Sequence, residues 1–195
     1  MPVNDVLEQV VDDYLRHQGY FTMTNVSFRP DHHPDYNTKM DSVPSDIDVL
    51  GFNPTLRGPS RVIAVSCKSW QVGFKADAKL AQLRGEAKNP KRPTWKSFRD
   101  IWDPKWSEAF REKVEAFTGQ RDFLYRIAVT RLDGDGDAWG IDPTIRRNLD
   151  GCNFGFLEMS TMWAEINQKL KTTPAPSDIG RLAQLLKAAG VSKDA

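Results

Sequence analysis

Two neighbouring stretches decide the fold: Ser45-Asp46-Ile47-Asp48-Val49-Leu50-Gly51-Phe52 and Arg61-Val62-Ile63-Ala64-Val65-Ser66-Cys67-Lys68-Ser69. Both are rich in β-branched and aliphatic residues, and the segment between them carries Asn53-Pro54 and Gly58-Pro59. That pattern predicts strands over 46–52 and 61–69, joined as a hairpin. Successive side chains on a strand point to opposite faces, so Asp46 and Asp48 share one face, as do Val62, Ala64, Ser66 and Lys68. If the strands pair antiparallel, Asp48 and Lys68 meet at one end of the hairpin. A lysine closing an apolar strand is unfavourable without a partner. A carboxylate and a lysine at a strand end suit a hard cation with an activated water, and an ordinary Asp–Lys ion pair satisfies the same pattern.

Upstream, Val3, Leu7, Val10, Val11, Tyr14 and Leu15 recur at helical spacing. They predict a helix capped by Asn4, running to about Gln18 and stopped by Gly19. An aromatic and β-branched strand follows over 20–28, then a Pro- and Asp-rich loop over 29–44. Downstream, 75–119 reads as helical, interrupted by Pro90, Pro93 and Pro104. A strand over 123–130, an Asp/Gly loop over 133–137, a short helix over 143–149, a strand over 153–158 and a helix over 161–170 complete the order. The result is an α/β class with a mixed β-sheet flanked by helices. One domain spans 1–171, with a helical, basic and Trp-rich insertion at about 75–120. A linker follows over 172–176, then a helix over 177–190 that Ser177 caps.

The 195 residues include 39% hydrophobic and 27% charged side chains, a globular balance with material for a buried core. Cys67 and Cys152 are too few for a disulfide framework or a Cys-rich zinc site. The acidic, helical start shows no signal-peptide pattern, and the longest aliphatic run is Val62-Ile63-Ala64-Val65. A reduced, cytoplasmic protein is the expectation.

The 27 basic and 26 acidic side chains leave a net charge of +1, which excludes binding a polyanion by bulk charge. The near-neutrality is a cancellation, because residues 1–60 carry −5, 61–121 carry +7 and 122–195 carry −1. Within the basic part, Lys88, Lys91, Arg92, Lys96 and Arg99 are candidates to face nucleic-acid phosphates, while Phe98, Trp102 and Trp106 at near-helical spacing read as core anchors. Asp133, Asp135 and Asp137 imitate the start of a calcium loop but lack its turn glycine and terminal glutamate, so they read as a hydrophilic turn. His32-His33 lacks further spaced ligands for zinc. A Ser66–Lys68 nucleophile–base pair is disfavoured by the i, i+2 separation of about 7 Å along a strand.

The ordered set of a helix bearing Glu8, the Gly19-Tyr20-Phe21 stop, SDIDVLGF and RVIAVSCKSWQ resembles the PD-(D/E)xK nuclease superfamily. It is similar in style to its modified-DNA restriction endonucleases and Holliday-junction resolvases. The resemblance implies a restriction-endonuclease-like core and a Mg²⁺- or Mn²⁺-dependent DNA endonuclease, with a homodimer suited to paired cuts. It places Glu8 and Asp48 as metal-binding acids, Lys68 as the catalytic lysine and Gln71 as a glutamine near the site. One position departs from the family: the acid two residues before the lysine is Ser66. The site is then degenerate, leaving a nucleic-acid-binding or interaction module, or Asp46 or Glu8 supplies the missing charge. In a third arrangement Asp48, Glu8 and the Cys67 carbonyl hold the metal while Ser66 orders a water.

Overall fold

The structure, a computed structural model, describes residues 5–88 and 93–191. In chain order its elements are α1 (Val6–His17), β1 (Phe21–Phe28), β2 (Ser45–Phe52), β3 (Val62–Lys68), β4 (Phe74–Lys75), α2 (Ala76–Arg84), α3 (Arg99–Trp102) and α4 (Pro104–Thr118). There follow β5 (Leu124–Val129), β6 (Leu132–Asp133), α5 (Asp137–Gly140), α6 (Pro143–Asn148), β7 (Asn153–Glu158), α7 (Met159–Lys169) and α8 (Asp178–Ala188). Five strands form a mixed sheet in the order β1-β2-β3-β5-β7. β1, β2 and β3 are antiparallel neighbours, whereas β3, β5 and β7 run parallel. The hairpin and the α/β class expected from the sequence are both present.

Each face of the sheet buries its own core. On one, Leu7, Val10, Val11 and Leu15 of α1 meet Val49, Ile63, Val65 and Ala128, with Met162 and Ile166 of α7 and Ile179 of α8. On the other, Val62, Ala64, Tyr125, Ile127 and Val129 lie beneath Phe98, Ile101, Trp106, Phe110 and Trp139. Alternate residues of β3 therefore serve opposite layers, as a strand covered on both faces requires. Phe98 and Trp106 are fully buried, and Trp102 is packed against the same core. The aromatic residues of the insertion are anchors.

Local chemistry sets the boundaries. Asn4 lies outside the described residues; Asp5 caps α1, its Oδ1 accepting from the Leu7 amide at 2.8 Å. Gly19, at φ 86°, turns the chain into β1, and Asn53 Nδ2 donates to the Gln18 carbonyl at 3.1 Å. The 75–119 helical pattern divides because Gly85 closes α2 at φ 77°, and Pro104 begins α4 behind an Asp103 cap. The loop expected at 133–137 is more structured than its composition suggests. Leu132–Asp133 forms β6 against β4, and Asp137 opens α5. Both elements depend on tertiary partners, such as Phe74 N donating to the Arg131 carbonyl and Trp139 Nε1 to the Ala76 carbonyl. The 172–176 segment is tied to α8, with the Ala175 amide donating to Gln184 and its carbonyl accepting from Arg181. Among the described residues no helix is long and apolar enough to cross a membrane.

Candidate functional site

The β2–β3 ladder runs from Phe52↔Val62 to Val49↔Val65 and stops there. Beyond it, the Cys67 amide donates to Asp48 Oδ2 at 2.5 Å, so a side chain takes a bond that a neighbouring strand's carbonyl would otherwise accept. Asn25, opposite Asp48, adopts φ 55°, and the pairing of β1 with β2 skips this position between Thr24↔Val49 and Val26↔Ile47. A non-glycine residue in the left-handed region is uncommon, and asparagine tolerates it better than most. The strands open at this irregularity. Into the opening fits a cavity of about 200 Å³, lined by Asp46, Asp48, Ser66, Lys68, Lys96, Arg99 and Asp100, among others.

Asp48 and Lys68 thus share the cavity that their placement on two paired strands predicts. Asp46 lines it too, more exposed, on the same side of β2. Lys68 Nζ donates to Ser66 Oγ at 2.9 Å and lies 5.5 Å from the centre of the Phe98 ring. Among the described residues no carboxylate approaches that ammonium within ion-pair distance, so the simple Asp–Lys salt bridge is not what is built here. Lys68 instead acts at longer range, favouring the ionised forms of both Asp48 and Asp100.

Asp100 is the residue that the sequence reading missed. It sits on the four-residue helix α3, buried, with Tyr125 Oη donating to its Oδ2 at 2.5 Å. Burial pushes its carboxyl above the usual range, as it does that of Asp48, and the Asp100 charge adds to the effect on Asp48. Nothing in FRDIWD marks this aspartate from its neighbours; only the docking of the insertion over the sheet brings it to Lys68.

Glu8 lies beside this cavity and does not line it. Its carboxyl is pushed up to about 7, first by burial and then by the charges of Asp48, Asp5 and Asp46. The N-terminus of α1 is held near β3 by Ser69 Oγ donating to Asp5 Oδ2. Cys67, on the opposite side of β3 from Ser66, packs against the α1 core, and burial pushes its thiol well up. Gln71 is exposed in the turn after β3, away from the cavity lining.

Of the basic candidates, Lys96 and Arg99 reach the cavity rim, while Lys88 is exposed at the end of α2. Lys91 and Arg92 lie outside the described residues. Arg99 donates to the Val43 and Pro44 carbonyls and lies over Trp106, 4.1 Å from the ring centre. It ties the 29–44 loop to the insertion. Asp41 does the same from the loop, accepting from Lys105 Nζ at 2.7 Å and from Trp106 Nε1 at 3.3 Å.

A larger cavity, about 690 Å³, flanks β7 and the 134–137 turn. Its lining includes Asp135, Asp137 and Glu158 but no lysine or arginine. Arg131 pairs with Asp133, and Asp135 accepts from the Asp137 and Ala138 amides, so these carboxylates organise the turn. His33 faces Asp35 and Glu108. The smaller cavity, unlike the larger, combines carboxylates with a lysine held at short range. Comparison with protein families, curated proteins and solved structures finds no match.

Proposed function

We propose that this chain is a metal-dependent DNA endonuclease of the PD-(D/E)xK type, hydrolysing phosphodiester bonds at the open end of β2–β3. The observation that carries the reading is one cavity shared by Asp48, Lys68 and a second buried carboxylate, Asp100. The donor set fits a hard cation such as Mg²⁺. Two oxygen donors, Asp48 and Asp100, are each raised by burial, and Ser66 offers a neutral third. Among the described residues no three acids, histidines or cysteines gather closely enough to hold a metal by themselves. Mg²⁺ commonly binds through one or two carboxylates and keeps much of its water, so this economy suits it.

Such an ion, when bound, supplies a polarised phosphoryl oxygen and a water of lowered pKa. The chain's own contribution is positional. Lys68, fixed by Ser66, holds a positive charge where charge develops on the phosphate, and Asp48 keeps a carboxylate oxygen on the cavity wall. Lys96 and Arg99 at the rim supply contacts for the flanking phosphates.

The test incubates the protein with supercoiled, linear and branched DNA in Mg²⁺ or Mn²⁺, beside Lys68→Ala and Asp48→Ala. The expected result is cleavage by the wild type and none by either variant. Cleavage persisting in both variants overturns the assignment. DNA binding without cleavage would instead support the inactive, nucleic-acid-binding reading that Ser66 invites.

A further inference from the structure

Ser66 stands where the resembling family carries an acid, yet the structure surrounds it with a defined set of partners. Lys68 Nζ donates to Ser66 Oγ at 2.9 Å. Tyr125 Oη donates to Asp100 Oδ2 at 2.5 Å, and the Ser66 hydroxyl partly offsets the effect of burial on the Tyr125 phenol. Sheet register brings these two bonded pairs together. Ala64 is paired with Tyr125 and Ser66 with Ile127, so Ser66 and Tyr125 are diagonal neighbours across parallel strands. Their side chains face the same layer, the one that contains Phe98 and Ile101.

Hydrogen inventory orients this chain. A lysine ammonium only donates and an ionised carboxylate only accepts, while each hydroxyl has one hydrogen to give. With Lys68 donating into Ser66, the serine hydrogen is free to turn toward Tyr125, whose own hydrogen goes to Asp100. The four groups then run in one direction, from the Lys68 ammonium on β3 to the Asp100 carboxylate on α3. Bonds aligned this way polarise one another in a low-dielectric interior. Tyr125, Ser66 and Asp100 are all buried.

We infer that Asp100, acting through Tyr125 and Ser66, supplies Lys68 with the anionic anchorage that position 66 lacks. Toward the lysine all three act as positioning residues, Asp100 and Ser66 in addition to their place in the proposed donor set, and the inference rests on the reading of Lys68 as the working lysine of the site. An acid at position 66 would touch the ammonium directly. Here the charge stands two hydroxyls away, on a different element, and the serine is the joint that connects them.

The test uses the full-length chain with labelled lysine, following the side-chain nitrogen resonance of Lys68, assigned through Lys68→Arg. Tyr125→Phe, which deletes a single oxygen, and Asp100→Asn are expected to move that resonance, whereas Tyr20→Phe leaves it in place. Circular dichroism checks that each variant is folded, and Tyr125→Phe carries the test should Asp100→Asn not fold. In parallel, Asp100→Asn is expected to lower kcat for DNA cleavage on the order of 10²-fold with a smaller change in KM. Introducing Ser66→Asp or Ser66→Glu into that variant should restore at least about tenfold. A Lys68 resonance indifferent to Tyr125→Phe overturns the inference, as does failure of both acids at 66 to restore a cleaving wild type's activity. If the wild type does not cleave DNA, the nuclease reading fails, and the resonance alone decides the relay.

Discussion

The two halves of the β2–β3 hairpin are built from the same two strands and do opposite things. From Phe52↔Val62 to Val49↔Val65 the ladder is complete, and Val49, Leu50, Val62, Ala64 and Val65 are almost wholly buried. Past that point the pairing ends, Asp48 takes the Cys67 amide, and polar side chains surround a cavity. One half obtains its order from apolar packing and the other from hydrogen bonds of fixed direction. Stability and chemistry are thereby separated along seven residues of one strand.

Substitutions at either end should respond accordingly. The largest loss of stability is expected for Leu50→Ala at the closed end, which empties a fully packed site and should cost about 2–5 kcal/mol in urea unfolding. Asp48→Asn at the open end retains an oxygen that can accept from Cys67, so its stability should change by less than about 1 kcal/mol. On the proposed function, its cleavage of DNA should nonetheless fall on the order of 10²-fold, a rise of about 2.7 kcal/mol in the barrier. Equal effects on stability and cleavage at both positions would erase the contrast. Gly51→Ala tests the tightness of the closed half, because an added Cβ would meet Ile63 Cγ2 at 2.8 Å. Overpacking there should cost about 1–3 kcal/mol by thermal or urea denaturation.

The smallest effect concerns pH. Glu8 has its carboxyl raised from 4.5 to about 7 by burial and by the neighbouring charges of Asp48, Asp5 and Asp46. Between those values the folded chain holds a proton that the unfolded chain has released, so this group's stabilising contribution is complete below about 4.5 and falls away as pH rises to about 7. Glu8→Gln should flatten that part of the profile and raise the melting temperature at pH 8 more than at pH 5. A parallel offset at both pH values would show that Glu8 is not the titrating group.

Much of this was legible in sequence, for identifiable reasons. Alternation in SDIDVLGF and RVIAVSCK sets the faces of β2 and β3, so Asp48 and Lys68 could be placed at a common end by period alone. The α1 stripe and the Ser177 cap are local signals of the same kind, and both recur in the structure. Asp100 was not legible because its placement depends on a four-residue helix whose position is set by Phe98, Ile101 and Trp106 docking on the sheet. Tyr125 carries no mark of its own within the strand over 123–130, since its hydroxyl acquires meaning only beside Ser66 and Asp100. The β4–β6 pair and α5 were invisible for the same reason: too short to persist alone, they are held by partners remote in the chain.

The clamp between Asp41 and Lys105 joins residues 64 positions apart, and β3 waits for β5 to complete its pairing. A chain emerging from its N-terminus would therefore present the segments that carry Asp48 and Lys68 well before Tyr125 arrives beside Ala64. Because such distant contacts form late, the half-made molecule holds the ingredients of the site without their arrangement. Competence would be timed to the completion of the sheet, and truncations that stop before β5 should leave a chain with no working cleft.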